Sequence, residues 1–497
     1  MSLLASHPTT ISIRRRLRAA IDGRVITPGD AGYDQARAVF YGRSDHRPVV
    51  IVRPTDASDV SQVVLLARES GLELAVRSGG HSLAGHSTTD GGIVLDLREM
   101  RALDIDAEGR TAWAETGLTT GEYTAAVGAY GLATGFGDTG SVGIGGITLG
   151  GGIGYLVRRH GLTIDNLLAA ELVTADGRVL RTDDQTHPEL FWAIRGGGGN
   201  FGVATRFRFR LHPVSTIVGG MLLLPATPEV IEGFIAEAEA APEELSTIAN
   251  VMPAPPLPFV STEHCGRLVV MALLVYAGPA EAGERAVAPF RALATPIADL
   301  VRPMRYPEMF QPAEEGSHPV AVARTMLVDA VDRDATEAIV EHLEASTAPM
   351  PVAQLRVLGG AMARVPAQAT AFAHRASRLM VNVAAVYQPR EEAEVHQAWV
   401  DRLAAALRDG DARAYVNFLG DEGPARIRQA YPGPTWERLA AIKGRYDPTN
   451  LFHRNQNVPS AKGDSDDQND SRGRSSSEER SRERNGAGTS VTTTVTS

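Results

Sequence analysis

The stretch Glu73–Met100, ELAVRSGGHSLAGHSTTDGGIVLDLREM, constrains this chain more than any other. It opens as a strand around Leu74 and Val76, breaks at Ser78-Gly79-Gly80, and resumes in the apolar run Ile93-Val94-Leu95. The two glycines allow positive φ at little steric cost. A strand, a glycine turn and a second strand expose successive backbone N–H groups, which can face a phosphate as a nest. No helix follows directly, so the stretch is neither a Walker loop nor a dinucleotide-binding turn. His81 sits at the tip of the turn. A second constraint lies downstream, where residues 131–202 hold 18 of the chain's 50 glycines. Such density marks loops, or backbone that closes on a ligand.

With 497 residues the chain is long enough for two or three domains. Its net charge of −10 argues against a nucleic-acid partner. Cys265 is the single cysteine, which excludes an intrachain disulfide and fits a reducing compartment. The basic cluster Arg14-Arg15-Arg16-Leu17-Arg18 reads as the solvated face of a first helix, Ile13–Ile21. A twin-arginine leader would need an apolar stretch behind it, and Asp22 and Arg24 interrupt that stretch. No run approaches the ~20 apolar residues of a membrane span. The expectation is a soluble, cytoplasmic protein, monomer or homodimer, with no membrane partner.

The spacing predicts a lead-in over 1–45 and a first domain over 46–215. Within that domain, 49–54 is a strand closed by Pro54. Asp56–Gly71 is a helix with Val60, Val63, Val64 and Ala67 on one face and Ser58 or Asp59 as its cap. A strand pair near 101–117 and a helix Glu122–Tyr130 follow. A hairpin turns at Asp176-Gly177, and a short helix covers Pro188–Arg195. Residues 203–211 alternate Val203, Thr205, Phe207, Phe209 and Leu211 with Arg206, Arg208 and Arg210, the mark of a half-buried strand. Over 216–410, Leu/Val-rich strands interleave with helices at Pro228–Ala240, Ala280–Ala292, Ala335–Ser346 and Glu391–Asp409, which gives a second α+β domain. A segment rich in aromatics and Asn covers 411–460. Residues 461–497 carry too little apolar surface to bury and read as a disordered tail.

Two tempting motifs fail on context. Gly197-x-Gly199-x-x-Gly202 matches GxGxxG, but a helix precedes it and a strand follows, the reverse of the Rossmann order. His81, His86 and Asp90 lie on an irregular loop with no second cluster elsewhere, so no metal site is expected.

Four runs in order carry a resemblance: RSGGHSLAG (77–85), VGIGGITLGGGIGYLVRRHGLTIDN (142–166), FWAIRGGGGNFGVATRF (191–207) and YDPTNLFHRNQN (446–457). Together they resemble the FAD-linked oxidases of the vanillyl-alcohol-oxidase fold, in the berberine-bridge-enzyme-like branch and on the side of the bacterial 6-hydroxynicotine oxidases. The resemblance implies an α+β architecture. A PCMH-type FAD-binding domain of two subdomains comes first, then a substrate domain whose antiparallel sheet roofs the flavin. The C-terminal segment returns to the FAD domain. It implies that Arg77, Ser78, Gly79, Gly80, His81 and Ser82 wrap the pyrophosphate, and that His81 is bonded to the flavin 8α-methyl carbon. Further cofactor contacts are implied for Gly85, His86, Thr139, Gly140, Val142, Gly143, Gly146, Gly151, Gly152, Asp165, Gly202, Val203, Asn455 and Asn457, with Asn450 beside them. One position departs from the family. Many members carry a second tether, a cysteine, three residues before the valine of the VGxGG run, and here that residue is Thr139. A single tether is therefore expected. In plant relatives the residue at Val142 gates oxygen, and valine goes with oxidase behaviour.

The flavin brings the hydride chemistry. The resemblance implies hydride transfer from a C–H beside oxygen or nitrogen, then reoxidation by O₂ to hydrogen peroxide. Tyr415 and Asn417, two apart in AYVNFLGD, are expected on one face of a strand. Tyr415 would serve as base or hydrogen-bond donor, or simply pack as a core aromatic. Asn417 would orient substrate or ring, and Asn166 resembles an active-site Asn of the nicotine oxidases. The strands at 268–276, 354–358 and 378–388 hold few charges, which suits an aromatic, alkaloid or polyketide substrate better than a sugar. The alternatives are a flavin dehydrogenase with a non-oxygen acceptor, a carbohydrate oxidase, and a flavoprotein that has lost its chemistry.

Overall fold

In the computed structural model, which describes residues 8–42, 45–310, 318–388, 392–408 and 413–461, the strands Leu74–Arg77 and Ile93–Asp96 lie side by side and run parallel. Leu74 stands opposite Ile93 and Arg77 opposite Asp96. Parallel neighbours need a crossover, and here loop 78–92 makes it without a helix. The strands belong to a four-stranded sheet in the order Arg24–Ile26, Val50–Arg53, Ile93–Asp96, Leu74–Arg77. Helix Ala57–Ser70 packs on it through Val60, Val63, Val64 and Ala67, all fully buried. Its cap is Asp56, whose carboxylate accepts from the Asp59 N–H. The expected caps, Ser58 or Asp59, instead lie inside the first turn, and Asp59 accepts the backbone N–H groups of Asp22, Gly23 and Thr55.

A second, antiparallel sheet orders the strands Leu103–Asp106, Thr111–Glu115, Val203–Arg210, Leu167–Val173 and Val179–Thr182. The alternation of 203–210 is realised: Phe207 and Phe209 are buried, while Arg206 and Arg210 are exposed. Arg206 reaches across to lie over Trp113 at 5.0 Å.

The third sheet is antiparallel throughout. Its long strands run in the order Ile217–Pro225, Leu268–Tyr276, Leu245–Pro253, Met350–Val357, Leu379–Tyr387, Val320–Val328. Strand Leu245–Pro253 has no apolar alternation to announce it, because both of its faces are covered. Val320, Val322, Val381 and Val383 face the helices Pro228–Ala240, Ala280–Arg291, Arg333–Glu344 and Ala393–Ala406 in one apolar core. Successive strand residues point to opposite faces, so Ala321, Ala323, Asn382 and Ala384 look the other way, onto a cavity.

The C-terminal segment is pinned to the loop before strand Val203–Arg210 by a buried lysine that also forms an ion pair within the segment. Lys443 Nζ donates to Asp447 Oδ2 at 2.6 Å, to the Asn200 carbonyl at 2.8 Å and to the Phe452 carbonyl at 2.9 Å. Asp447 completes the turn by accepting the N–H groups of Leu451 and Phe452. The expected tail lies outside the described residues apart from Ala461. No helix among the described residues is long and apolar enough to cross a membrane.

A second buried pair ties the ends of the two parallel strands. Arg77 donates to Asp96 Oδ2 at 2.9 Å and to the carbonyls of Ala36 and Ala38. Burial works to raise the Asp96 carboxyl, but Arg77 and Arg98 outweigh it and hold it down to about 2. Breaking such a pair from one side costs about 3–5 kcal/mol. Asp96→Asn is expected to lose that much in urea unfolding at pH 7. A group with a lowered native pKa contributes stability above its unfolded pKa and loses it as pH falls through the native one. The difference between wild type and Asp96→Asn should therefore shrink between roughly pH 4 and the native value of about 2.

Candidate functional site

The three sheets and the C-terminal segment close around a cavity of about 530 Å³, within the range of small-molecule sites. Its walls come from residues 78–83, 137–149, 198–204, 415–419 and 452–456, and its roof from the third sheet. The turn at Ser78–Gly80 lies directly on the loop before helix Ile144–Gly150. A Cβ on Gly79 would stand 2.2 Å from the Gly143 nitrogen, and one on Gly143 would stand 2.1 Å from Ser78 Oγ. Ser78 stitches the contact, donating to the Thr116 carbonyl and accepting from the Gly145 N–H at 3.2 Å.

His81 lines the cavity from the tip of this turn. Its ring stacks on Phe40, with centroids 4.0 Å apart and planes 19° apart, and Nε2 meets Ser141 Oγ at 3.1 Å. Burial lowers its pKa to about 4, so the imidazole is neutral at pH 7 and one ring nitrogen keeps a lone pair. Thr139 and Val142 line the same cavity.

Several buried polar atoms here have no protein partner among the described residues. They are both ring nitrogens of His86 and the side-chain oxygen of Asn455, while Thr88 Oγ1 and the side-chain oxygens of Asn450 and Asn457, likewise unpaired, are not on the cavity wall. Each such atom costs about 1–3 kcal/mol if left unpaired. His86 and Asn455 line the cavity, as do Ser78, Gly79, Gly80, Ser82, Gly143, Gly146, Gly202 and Val203. A glycine-walled cleft with bare donors and acceptors fits a long polar cofactor such as FAD.

Tyr415 and Asn417 also reach the cavity, though not from a strand. Val416–Phe418 is a single 3₁₀ turn, so two-residue alternation does not apply. A hydrogen bond joins them instead, from Asn417 Nδ2 to the Tyr415 hydroxyl oxygen at 2.8 Å. The same oxygen accepts the Gly152 N–H at 2.8 Å, and Asn417 Nδ2 also donates to the Ile147 carbonyl at 3.0 Å. Burial pushes the Tyr415 pKa up against the pull of these N–H groups. The phenol is therefore protonated at neutral pH, and its hydrogen is left to donate.

Other expected residues stand elsewhere. Asn166 is not on the cavity wall. Its Nδ2 donates to the carbonyls of His160 and Leu162, and its Oδ1 meets His212 Nε2 at 2.6 Å. Asp165 is held by Arg375 through two contacts of 2.7 and 2.8 Å. Arg77 is spent on Asp96. Gly85, Gly140, Gly151 and Gly152 form a layer behind the wall. Gly85 O accepts from Arg454, Gly140 O accepts from the Gly121 N–H, and a Cβ on Gly151 would press on Tyr415 at 3.1 Å. His81, His86 and Asp90 do not converge, since the Asp90 carboxylate accepts from the Arg47 N–H.

Sequence reasoning missed Phe40, Tyr41, Gln354, Arg356, Asn382 and Arg454, all of which line the cavity. Arg356 is buried, donating to Asp138 Oδ2 at 2.7 Å, to the Ile153 carbonyl at 3.2 Å and to Gln354 Oε1 at 2.8 Å. The available signal was a lone polar residue inside a run of Val, Leu and Ala, which is costly unless it is partnered.

A fold of this kind with this cleft defines a flavin-dependent oxidoreductase, and comparison with known proteins agrees. Residues 48–183 match the family described as FAD binding domain, and residues 414–459 match the one described as berberine and berberine like. (R)-6-hydroxynicotine oxidase of Paenarthrobacter nicotinovorans is 31% identical, over 88% of this chain and 97% of that protein. Xylooligosaccharide oxidase of Thermothelomyces thermophilus is 27% identical, over 85% of this chain and 89% of that one. The crystal structure of 6-hydroxy-D-nicotine oxidase from Arthrobacter nicotinovorans superposes with a TM-score of 0.79 at 28% identity, covering 88% of this chain and 98% of that one. The chain belongs to the FAD-linked oxidoreductases of the berberine-bridge-enzyme-like family.

The glycine contact gives a test of the cleft. Gly143→Ala forces the two backbones apart, and overpacking of this kind costs about 1–3 kcal/mol. The variant is expected to melt lower and to purify with less flavin per chain, read from its visible absorbance. Gly29→Ala, which meets nothing within 4 Å, should change neither.

Proposed function

We propose that this chain is an oxidase that takes a hydride from a C–H beside oxygen or nitrogen of a small aromatic, alkaloid-like or polyketide-like molecule. O₂ is the acceptor and hydrogen peroxide the second product. FAD supplies the hydride acceptor when bound, and His81 is its single covalent anchor. The observation that carries this reading is His81 itself, neutral and half-buried at the tip of the turn, in one cavity with the Tyr415–Asn417 pair. Thr139, in place of a thiol, leaves no second anchor.

Each residue has a task in this reading. The N–H groups of Ser78 to Ser82 hold the diphosphate, and His86 and Asn455 gain partners along the cofactor. Asn417 and the Gly152 N–H orient the Tyr415 hydroxyl, which donates to the oxygen or nitrogen beside the reacting C–H. Because the Tyr415 pKa is raised, proton abstraction by a phenolate is disfavoured at neutral pH. An amine bound in its neutral form needs no such base, and the nicotine-oxidase relatives are in keeping with that. Val142 stands on the cavity wall, where it would shape the approach of oxygen. The single cysteine fits a cytoplasmic setting.

Acid precipitation tests the anchor. The yellow colour is expected in the pellet for wild type and in the supernatant for His81→Ala. Colour in the wild-type supernatant would remove the covalent bond from the reading. Peroxide release in air, screened over aromatic amines and alcohols, tests the oxidase assignment; reduced flavin that stays reduced in air would replace it with a dehydrogenase.

A further inference from the structure

The roof of the cavity changes character along its length. The strand register sets Ala321 opposite Val386, Ala323 opposite Ala384, Thr325 opposite Asn382, and Asn382 opposite Gln354. Alternate residues on a strand are about 6.6–6.8 Å apart. The apolar end at Ala321 and Val386 therefore lies about 13 Å from the amide end at Asn382 and Gln354. Arg356 closes the amide end.

Nearly every polar atom at that end is already engaged. All three nitrogens of Arg356 have partners. Gln354 gives its Nε2 to Asn250 Oδ1 at 2.8 Å, and its Oε1 accepts from Arg356. Asn382 differs. Its Oδ1 accepts from the buried Thr325 hydroxyl at 2.9 Å, and this bond turns Nδ2 toward the cavity, where it has no partner among the described residues. The orientation of an amide is assigned from such a network, and here the hydroxyl of Thr325 sets it.

Resting on the oxidase reading of this cavity, we propose that Asn382 is a specificity-determining residue. Its Nδ2–H donates to an acceptor oxygen, a carbonyl or ring ether, at one end of a flat substrate whose apolar body lies along Ala323, Ala384 and Ala321. A molecule with the same body and no acceptor leaves the Asn382 donor unpaired and is rejected.

The test uses the holoenzyme and two probes with one fused-ring body, 1-tetralone and tetralin, which differ by a carbonyl. Calorimetric titration is expected to show tetralone binding about tenfold tighter, the size of one well-formed buried hydrogen bond. Asn382→Leu should erase the gap, and Asn382→Asp, which presents an acceptor, should weaken tetralone at least as much. Thr325→Val leaves Asn382 in place but frees its amide to turn, so it should narrow the gap. It also reads the same donor if Asn382→Leu fails to fold. Equal binding of the two probes to wild type, no binding of tetralone, or a gap that survives Asn382→Leu or Asn382→Asp would overturn the proposal. A protein that purifies colourless overturns the flavin reading instead, and the tetralone gap remains measurable on it.

Discussion

The architecture depends on two glycine backbones in contact. Gly79 ends the parallel strands of the first sheet, and Gly143 begins the helix that leans on the second. A side chain at either position would push the sheets apart, because each Cβ would stand 2.2 Å from the other glycine's backbone nitrogen, which cannot rotate away. The seam between the two sheets is thus the same place as the floor of the cleft. Shape and binding site cannot be varied independently there, which explains why the glycines cluster so heavily around it.

Charge is used differently. The deeply buried ion pairs stand where segments distant in sequence meet. Arg77 with Asp96 ties strand ends, and Lys443 with Asp447 ties the last helix to Asn200. Arg375 with Asp165 ties residues some two hundred positions apart, and Arg356 with Asp138 ties the roof to the wall. All have further hydrogen bonds, the condition under which a buried pair is tolerated. Along the cleft, both ring nitrogens of His86 and the side-chain oxygen of Asn455 are buried without a partner among the described residues.

Much of this was legible in the sequence. Local rules found the helices Ala57–Ser70 and Pro228–Ala240 and the strand Val203–Arg210, because each shows one clean period. The ordered glycine runs pointed to the cleft, since the backbones at Gly79 and Gly143 approach too closely to admit a Cβ without a shift. What escaped depends on pairing at a distance. Nothing local says that Leu74–Arg77 and Ile93–Asp96 are parallel. Asp59 looked like a cap, but two remote N–H groups, of Asp22 and Gly23, and the nearby one of Thr55 claim it. Asn166 and Asp165 sit in a motif that suggests ligand contact, yet His212 and Arg375, far along the chain, take their side chains. Strand Leu245–Pro253 was hidden because both of its faces are covered, and the roof residue Arg356 because two of its partners, Asp138 and the Ile153 carbonyl, lie far away in sequence.

The route of the chain also sets an order of events at synthesis. One wall of the cleft is Arg454, Asn455 and Gln456, and the lysine that fixes this wall reaches back to Asn200. Arg454 further grips the carbonyls of Gly85 and Thr88 beside the histidine turn. While the last residues are still inside the ribosome, both earlier domains are already outside, and the cleft stands open along that side. The cleft is consequently complete only once the C-terminal segment has joined it.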